Sequence, residues 1–482
     1  MSSSANITVL NENSQLGNLF KTVVKGGYCI GCGACAAVSE SPIQMQMDEY
    51  GKFTATINPL AEQSSFDLPV EAVCPFSSRA QNEDQIGQEL FGKDCQYHNK
   101  IGYYQATYAG FVSEGNFRDR GSSGGMGTWI VTNLMLEGLV DRVIHVQPRH
   151  PSEDDPRLFH YQISTTIEQV KQGAKSRYYP IEMSEVIRQV REQPGRYAIV
   201  GIPCFLKAVR LLMRQDARLA ERIKFCVGLV CGHLKSRRFA DMFAWQCGIE
   251  PGNILEFDFR KKIPGRNANS YGIEVVGLKE GQVVTQTSPV DQLYGKDWGL
   301  GFFKYKACDY CDDVVAEAAD VSVGDAWLPQ YVRDSQGTNV VVVRHPKIRE
   351  LLEQGMATGK LKLDYIDAEE VARSQESGFR HRRDGLAYRL LITKRRGEWY
   401  PPKRVQPRID RSRPLFNKGQ KFRVLLVQQS HIAFKEAVEA RDFSLFVKKM
   451  EPLVEAYRAS YHPPKWMQRA QRAKQFLRRL IG

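Results

Sequence analysis

The chain has 482 residues, of which 42% are hydrophobic and 25% charged, which is ordinary for a globular protein of two or three domains. The polar stretch at positions 1–15 lacks the apolar core of a signal peptide, and no run approaches the ~18 consecutive apolar residues of a membrane span. We therefore expect a cytoplasmic protein whose 11 cysteines stay reduced, which favours metal ligation over disulfides.

The first motif in chain order is a group of cysteines. Cys29, Cys32 and Cys35 have the C-x2-C-x2-C spacing of a bacterial ferredoxin, but Ser39 stands where that pattern places its fourth cysteine. Downstream, Cys74 stands in a Cys-Pro dipeptide, and the segment before it reads as two strands joined by a turn. Because a four-iron cluster needs four thiolates, we assign these four cysteines to one [4Fe–4S] cluster. A structural zinc site, which also accepts four thiolates, is the alternative.

Beyond residue 100 the hydrophobic pattern changes, and strands alternate with helices of about 10 to 15 residues, which predicts an α/β core. A Pro- and Arg-rich segment, 396–414, predicts an extended linker, followed by one helical segment at 431–460 and a short terminal helix. Strands are predicted at 108–113, 141–147, 196–201, 223–232, 256–262, 271–288 (a hairpin), 321–327 and 338–344, and helices at 126–140, 205–215, 236–248 and 347–359.

A glycine-rich segment lies between the first of these strands and its helix. Glycines let a backbone approach a ligand closely, and a helix N-terminus offers unpaired N–H groups to a phosphate. Neither the P-loop motif nor a standard dinucleotide fingerprint is present. A tight turn and a phosphate cradle are therefore both open for Gly121, Ser122, Ser123, Gly124 and Gly125.

Four later cysteines also predict a shared site. Cys204 and Cys231 each follow a predicted strand, while Cys308 and Cys311 form a C-x2-C pair. Because ligands collect beyond the carboxyl ends of strands in α/β sheets, a second four-thiolate cluster is geometrically reasonable. The alternatives are a zinc site and a coincidence of ordinary buried cysteines. The remaining cysteines are interpreted as plain thiols: Cys95, Cys226 and Cys247.

In combination, these motifs resemble the coenzyme F420 hydrogenase/dehydrogenase β-subunit family of iron–sulfur flavoproteins, which includes 7-hydroxymethyl chlorophyll a reductase. The resemblance covers roughly residues 25–400 and implies a mixed α+β and α/β chain. A ferredoxin-like [4Fe–4S] module at 1–100 would be fused to an α/β FAD-binding domain at 101–400, with a basic helical extension at 401–482. The resemblance rests on nine segments in order: CIGCGAC, AVCP, GSSGGMGTWIVTNLMLEG, GAKSRYY, VGIPC, GLVCG, FDFRKK, KACDYC and ADVSVGDAW.

The resemblance also implies roles for individual residues. Arg177 replaces the lysine of the family's Ser-Lys-Tyr element, which keeps the positive charge near the flavin. Asp325 could bind the flavin or cap a turn, and His233 could donate protons or simply be packed. Family members with two clusters are the precedent for the second cysteine site. The residues implied to line the flavin are Ser122, Ser123, Gly124, Gly125, Ser176, Arg177, Tyr178 and Asp325.

The positive charge is concentrated at the C-terminus, where residues 371–482 hold 27 Lys and Arg against 9 Asp and Glu. The terminal segment around Trp466 has the pattern of a basic amphipathic helix. Such a helix suits contact with an anionic membrane surface or with an acidic protein such as ferredoxin, and packing on its own domain is the alternative. No nucleic-acid module accompanies the charge, so no nucleic-acid partner is expected.

The leading hypothesis is a cytoplasmic oxidoreductase, with a membrane-peripheral placement left open. Electrons from reduced ferredoxin or coenzyme F420 would pass through one or two [4Fe–4S] clusters to FAD, which reduces a small organic substrate. One alternative is a non-catalytic electron-relay β subunit of a larger hydrogenase or dehydrogenase complex. Another is a zinc-stabilised interaction protein without redox centres.

Overall fold

The computed structural model describes residues 14–59 and 68–461. The predicted terminal helix around Trp466 lies outside this range. Strands are β1 Ile43–Met47, β2 Phe53–Ile57, β3 Gln96–His98, β4 Gly102–Tyr104, β5 Ala106–Val112, β6 Arg142–Pro148, β7 Phe159–Ser164, β8 Tyr197–Gly201, β9 Ile223–Leu229, β10 Ile254–Lys261, β11 Gly272–Lys279, β12 Gln282–Pro289, β13 Val321–Asp325, β14 Asn339–Val343 and β15 Leu361–Tyr365. Helices are α1 Gln15–Leu19, α2 Glu83–Phe91, α3 Phe117–Arg120, α4 Met126–Leu136, α5 Ile167–Gln172, α6 Ser184–Glu192, α7 Pro203–Gln215, α8 Ala217–Arg222, α9 Arg238–Gln246, α10 Pro329–Val332, α11 Pro346–Ala357, α12 Ala368–Ser374, α13 Glu376–Arg380, α14 Leu386–Arg395, α15 Pro414–Glu439 and α16 Phe443–Tyr461.

The main sheet has eight strands in the order β15-β5-β14-β13-β9-β8-β6-β7. Its four inner strands, β13, β9, β8 and β6, run parallel, whereas the strands on either side pair antiparallel. Strand β14 is buried along its whole length, as its run of four valines predicts. The predicted α/β core is confirmed as a mixed α/β fold.

Two smaller sheets were visible in the sequence pattern. Strands β1 and β2 form an antiparallel hairpin between the two parts of the first cysteine motif, with Ile43 opposite Ile57. Strands β11 and β12 form the hairpin predicted at 271–288, and β10 pairs with β11 to complete a three-stranded sheet.

The C-terminal part differs from the prediction of one helical segment at 431–460. Helix α15 begins at Pro414, inside the predicted linker, and a second helix, α16, follows after a reversal. Arg441 adopts a φ of 52° at that reversal, a left-handed conformation that ends an α-helix. The reversal brings Phe434 and Phe446 together with ring centroids 5.4 Å apart, a contact that a single continuous helix could not make.

The linker before α15 is extended, as predicted, but it is pinned to the rest of the protein. Arg404 is largely buried and donates hydrogen bonds to both carboxylate oxygens of Glu317, at 2.7 and 2.8 Å, and to Asp84 at 2.8 Å. The largest hydrophobic cluster includes Ile30, Phe205 and Phe434, one from each of the three predicted domains. The predicted domains therefore share one core in the part of the chain that the structure describes.

Candidate functional site

The first cysteine group is gathered by two loops. Cys29, Cys32 and Cys35 follow one another through a tight turn, and Cys74 reaches them from the segment after the β1–β2 hairpin. Gly31, between the first two, has a φ of 72°, and a Cβ there would lie 2.6 Å from the carbonyl oxygen of Phe53. The spacer residue must therefore be glycine for the loop to close against β2.

The thiols of this group are desolvated and close enough to affect one another. Burial raises the pKa of Cys74 to about 12, and it raises the pKa of Cys32 and Cys35 as well. Mutual repulsion among the sulfurs adds to each of these rises. Thiols with raised pKa values become thiolates when a cationic group binds them, which suits a metal centre.

The second cysteine group lines a small cavity of about 10 Å³. Cys204 stands at the start of α7, and Cys231 follows the end of β9, as predicted from their positions after strands. The pair from the C-x2-C motif completes the set. The structure thus brings together Cys204, Cys231, Cys308 and Cys311 around this cavity.

A buried cation also lies against the second group, and the sequence interpretation missed it. Arg382 is 2% exposed and donates a hydrogen bond to Sγ of Cys311 at 2.9 Å. Its other donors reach the carbonyl oxygens of Cys231 and Gly232, at 2.8 and 2.6 Å. Although burial opposes it, the neighbouring thiols raise the pKa of Arg382, so the guanidinium stays charged at the sulfurs. Arg382 lies in a π-helical turn between α13 and α14, a local irregularity that sequence periodicity does not reveal.

The two cysteine groups are neighbours. Ile30, which directly follows Cys29, and Phe76, two positions after Cys74, line the cavity of the second group. The sulfurs of Cys32 and Cys204 are close enough for electrostatic repulsion. The remaining thiols lie elsewhere, since Cys226 is buried in β9, Cys247 caps α9, and Cys95 donates to the Arg344 carbonyl.

No group of three or more His, Cys, Asp or Glu side chains within residues 14–59 and 68–461 is arranged to hold a single metal ion. A mononuclear zinc site draws its thiolates to about 2.3 Å from one ion. In a four-iron cluster each thiolate binds a different iron, so the sulfurs stand further apart around a larger group.

A cavity of about 1090 Å³ opens beside the second cysteine group. It extends from the glycine-rich segment, past the carboxyl ends of the inner strands, to helices α15 and α16. Seven of the eight residues implied to contact the flavin line it: Ser122, Ser123, Gly125, Ser176, Arg177, Tyr178 and Asp325.

Gly124 is the exception, because it does not line the cavity. A Cβ at Gly124 would lie 2.8 Å from both the Asn339 side-chain oxygen and the Gly110 carbonyl oxygen. The glycine is therefore explained by close packing of the segment against β5 and β14. Asn339 also accepts a hydrogen bond from the N–H of Met126, the first residue of α4.

The glycine-rich segment and the Ser-Arg-Tyr element meet directly. The N–H of Ser176 donates to Oγ of Ser122 at 2.8 Å. Arg177 stacks over the ring of Phe159 at 4.8 Å, and burial lowers its pKa to about 10, so it is cationic at neutral pH. Tyr178 contacts the Trp298 ring edge-on at 4.8 Å. These contacts form one wall of the cavity.

The side chain of Asp325 does not cap a turn but forms an ion pair with the buried Arg260. Its two carboxylate oxygens accept hydrogen bonds from Arg260 at 3.0 and 3.2 Å. Arg260, 4% exposed, also donates to the Tyr178 hydroxyl at 3.2 Å and lies over the ring of Tyr271. The role of Arg260 was not predictable from the sequence, because its partner lies 65 positions away.

His233 lines the cavity next to Cys231 and packs its ring against Trp298, with centroids 4.6 Å apart. Burial lowers the pKa of His233 well below its ordinary value, and the nearby charges of Lys235, Lys304 and Arg423 lower it further. The imidazole is therefore neutral at pH 7, which favours the interpretation of a packed residue over that of a cationic proton donor.

The cavity and the second cysteine group share a wall. Ile202, Cys231 and Leu234 line both spaces, so a group held by the cysteines would stand one layer of side chains from a ligand in the cavity.

Two family models match the chain. The N-terminal model of the coenzyme F420 hydrogenase/dehydrogenase beta subunit matches residues 107–188, and the C-terminal model matches residues 195–369. Together they cover more than half of the chain. The chain belongs to this family. The matched segments contain the glycine-rich segment and the second cysteine group, whereas the first cysteine group and helices α13 to α16 lie outside them.

The curated relatives are distant. A coenzyme F420-dependent sulfite reductase of Methanocaldococcus jannaschii is 24% identical over 80% of this chain and 59% of its own length. One of the subunits of an F(420)H(2) dehydrogenase of Methanosarcina mazei is 24% identical over 44% of this chain and 56% of its own. This chain thus spans less than two thirds of either relative.

Among solved structures, a chain of the F420-reducing [NiFe] hydrogenase complex from Methanosarcina barkeri matches with a TM-score of 0.47 and 16% identity. The match covers 64% of this chain and 99% of that chain. Among the described helices, none combines the length and apolar character that a membrane crossing requires.

Proposed function

We propose that this chain is an iron–sulfur flavoprotein oxidoreductase that passes electrons between two [4Fe–4S] clusters and FAD. The observation that carries the proposal is the shared wall of Ile202, Cys231 and Leu234 between the second cysteine group and the large cavity. A ligand of the cysteines and a ligand of the cavity would be separated only by these side chains. Such proximity is what electron transfer requires.

The two cysteine groups provide the ligands. Each supplies four thiols, the number that a four-iron cluster needs, and thiolates are its usual ligands. The donor chemistry therefore fits two clusters, the first in the ferredoxin-like module at 1–100 and the second within the domain at 101–400. The ligand sets are Cys29, Cys32, Cys35 and Cys74 for the first, and Cys204, Cys231, Cys308 and Cys311 for the second.

The large cavity would hold FAD. Its volume exceeds the ~300–1,000 Å³ of typical ligand pockets, which suits a dinucleotide together with a second molecule. Ser122, Ser123 and Gly125 offer polar and backbone groups at the start of α4, where a pyrophosphate is stabilised. Ser176, Arg177 and Tyr178 continue the same wall, and the Arg260–Asp325 pair fixes a polar edge.

A bound flavin supplies the exchange between single electrons and a hydride. The side chains of this chain position the reacting groups and shield them. Arg382 keeps a positive charge at the second cysteine group, and Trp298 and Tyr178 enclose the cavity with aromatic rings. The neutral state of His233 leaves an uncharged imidazole at that position.

Coenzyme F420 and ferredoxin are the electron partners that we propose, and a small organic molecule is the substrate. The names of the relatives favour coenzyme F420, because both curated relatives described above are named for its use or for its reduced form. The alternative is a non-catalytic relay component of a larger complex, and it is supported by the name of one relative, which describes part of a dehydrogenase.

The test is to purify the full chain without oxygen and to measure iron, sulfide, zinc and flavin. We expect about eight irons per chain, from two four-iron clusters, and one FAD. About four irons would remove the second cluster, and colourless protein with zinc would refute the redox proposal.

A second measurement separates enzyme from relay. Reduced coenzyme F420 and reduced ferredoxin are mixed separately with the chain, and bleaching of the visible flavin band is followed. Reduction without any other subunit, followed by turnover of an added organic acceptor, supports the enzyme. Reduction without turnover of any acceptor favours the relay.

A further inference from the structure

Helices α15 and α16 complete one end of the large cavity, although they lie outside the segments that the family models match. Gln420 and Arg423 from α15 and Tyr457 and Tyr461 from α16 line this end. The helices are fixed there by the hydrophobic core, where Phe303, Phe434 and Phe446 pack ring against ring. The end of the cavity is therefore built by residues that belong to this chain rather than to the matched family core.

Arg423 is a buried cation at this end without a carboxylate partner. It is 9% exposed, and its one hydrogen bond in the described structure is a long one, 3.5 Å, to the Tyr457 hydroxyl. Its Nε is buried and makes no hydrogen bond there, and no carboxylate of residues 14–59 and 68–461 lies within ion-pair distance. A buried guanidinium in this state is costly unless an anion binds it.

The buried residues around Arg423 carry more positive than negative charge. Lys235, Lys304 and Arg389 are buried beside it, together with the imidazoles of His233 and His381. Asp309 is the buried carboxylate of the group, and it is shared by Lys304 at 2.6 Å, His381 at 3.5 Å and Arg389 at 3.7 Å. Asp297 also lies near, but it is exposed and caps the turn at Gly299.

The positive charges repel one another. After burial itself, Arg423 contributes to lowering the pKa of Lys235, of His381 and of Lys304, which falls to about 8. The cation that contacts the second-group sulfurs is Arg382, whose two terminal nitrogens donate there, so the cysteines do not neutralise Arg423.

Aromatic side chains line the cavity between Arg423 and the wall that contains Arg177 and Tyr178. Trp298 contacts His233 at 4.6 Å on one side and Tyr178 at 4.8 Å on the other. Tyr457 and Tyr461 stack near the cation, with centroids 4.9 Å apart. A ligand with one anionic group and a flat apolar body would place the anion on Arg423 and the body along Trp298.

We propose that Arg423, with the Tyr457 hydroxyl, forms an anion-binding subsite that takes the carboxylate of a small organic acid. That this acid is the molecule which the enzyme reduces rests on the proposed function, whereas the anion site itself does not. Guanidinium groups bind carboxylates through paired hydrogen bonds. The Nε of Arg423 makes no hydrogen bond in the described structure, so it is available for such a pair.

The experiment is isothermal titration calorimetry of the full, cofactor-loaded chain with benzoate, and with neutral benzyl alcohol as the matched probe. We expect benzoate to bind and benzyl alcohol to bind at least tenfold more weakly. Arg423→Met should weaken benzoate binding at least tenfold, and Arg423→Lys less, because the charge remains. Lys421→Met removes the same charge from an exposed position of the same helix and should leave affinity within twofold.

A second measurement does not depend on a substitution that could disturb folding. Phenylglyoxal modifies arginines, and mass spectrometry locates the modified residue. Benzoate should decrease the modification of Arg423 in the unaltered chain. The modification of the exposed Arg408 should be the same with and without benzoate.

The outcomes separate the two proposals. Arg423-dependent binding in a chain that proves to lack flavin would keep the anion subsite and refute only the proposed function. Lack of benzoate binding by the unaltered chain, equal binding of benzyl alcohol, or equal affinity in Arg423→Met would each overturn the subsite.

Discussion

The two cysteine groups present the same donor set in different surroundings. Around the first group, the donors that approach the sulfurs are neutral backbone N–H groups, such as those of Ala34, Ala36 and Phe76. At the second group, a buried guanidinium donates directly to Cys311, alongside the N–H of Leu234 to Cys308 at 3.3 Å. Among the described residues, a charged side chain donates directly to a sulfur at the second group, whereas at the first group the charge of Lys207 acts on Cys74 without a hydrogen bond.

This difference indicates an order of reduction potentials. Hydrogen bonds to the sulfurs and the local charge are principal determinants of the potential of an iron–sulfur cluster. A fixed positive charge stabilises the more negative, reduced state, so a cluster at the second group should have the higher potential. Because the second group also adjoins the large cavity, electrons would run from the first group to the second and on to the cavity.

The largest expected effect comes from removing one ligand of either group. Cys74→Ala should lose the first cluster, about four of about eight irons, and Cys231→Ala should lose the second. Iron and sulfide analysis with electron paramagnetic resonance distinguishes the two losses.

Controls for this pair are available in the same chain. Ser39→Ala, at the exposed position where a ferredoxin has its fourth cysteine, should leave the iron content unchanged. Cys226→Ala removes a buried thiol outside both groups and should also retain all iron. Full iron content in Cys74→Ala would show that the first ligand set is wrong.

Removing the positive charge of Arg382 tests whether this charge accounts for the difference between the two cysteine groups. Arg382→Leu should lower the potential of the second cluster by about 59 mV or more, a tenfold change in the ratio of reduced to oxidised cluster for a one-electron couple. Redox titration monitored by electron paramagnetic resonance measures this potential. Arg382→Lys should lower it less than Arg382→Leu does, because the positive charge remains.

Arg188 provides the matched control, because it donates to the Ala36 carbonyl beside the first group but not to a sulfur. Arg188→Leu should leave both potentials unchanged. An unchanged second potential in Arg382→Leu would remove the proposed order of electron flow.

A smaller effect is expected from a substitution in the cavity wall, which should change flavin binding but not the iron content of the cysteine groups. Asp325→Ala leaves Arg260 buried without its carboxylate and should cost about 2–3 kcal/mol, below the range for a fully buried pair because Asp325 is partly exposed. The variant should lose flavin yet keep its iron. Urea unfolding followed by circular dichroism measures the free energy of unfolding.

For comparison, Asp334→Ala breaks an exposed pair with Arg118 and should cost less than about 1 kcal/mol. If Asp325→Ala lost iron and flavin to the same extent, the cavity and the cysteine groups would not bind their ligands independently.

The smallest effect concerns pH. Burial lowers the pKa of His145, on the cavity wall, to about 4, whereas an unfolded imidazole titrates near 6.5. As pH falls from about 6.5 to 4, the unfolded state therefore binds the proton first and the free energy of unfolding decreases. His145→Gln should make this decrease shallower in urea unfolding series at pH 7, 6, 5 and 4. An equally steep decrease would assign the acid sensitivity to other groups.

Several parts of the site could be read from the sequence because they depend on short-range geometry. The two-residue spacers fix Cys29, Cys32 and Cys35 around one centre, and the β1–β2 hairpin follows from its alternating pattern. The glycine-rich segment was placed correctly between β5 and α4, although Gly124 turned out to serve packing rather than the cavity. The length of the C-terminal helices was not predictable, since their break depends on the packing of Phe434 against Phe446.

By itself, the sequence determined the α/β alternation, the cysteine spacing and the family. Only the tertiary structure decided which distant residues meet: Arg382 with Cys311, Arg260 with Asp325, and Arg423 with the far end of the cavity. The physical reason is range. Helix and strand periods and turn residues act over a few positions, whereas a buried charge finds its partner only when the whole core packs and excludes water.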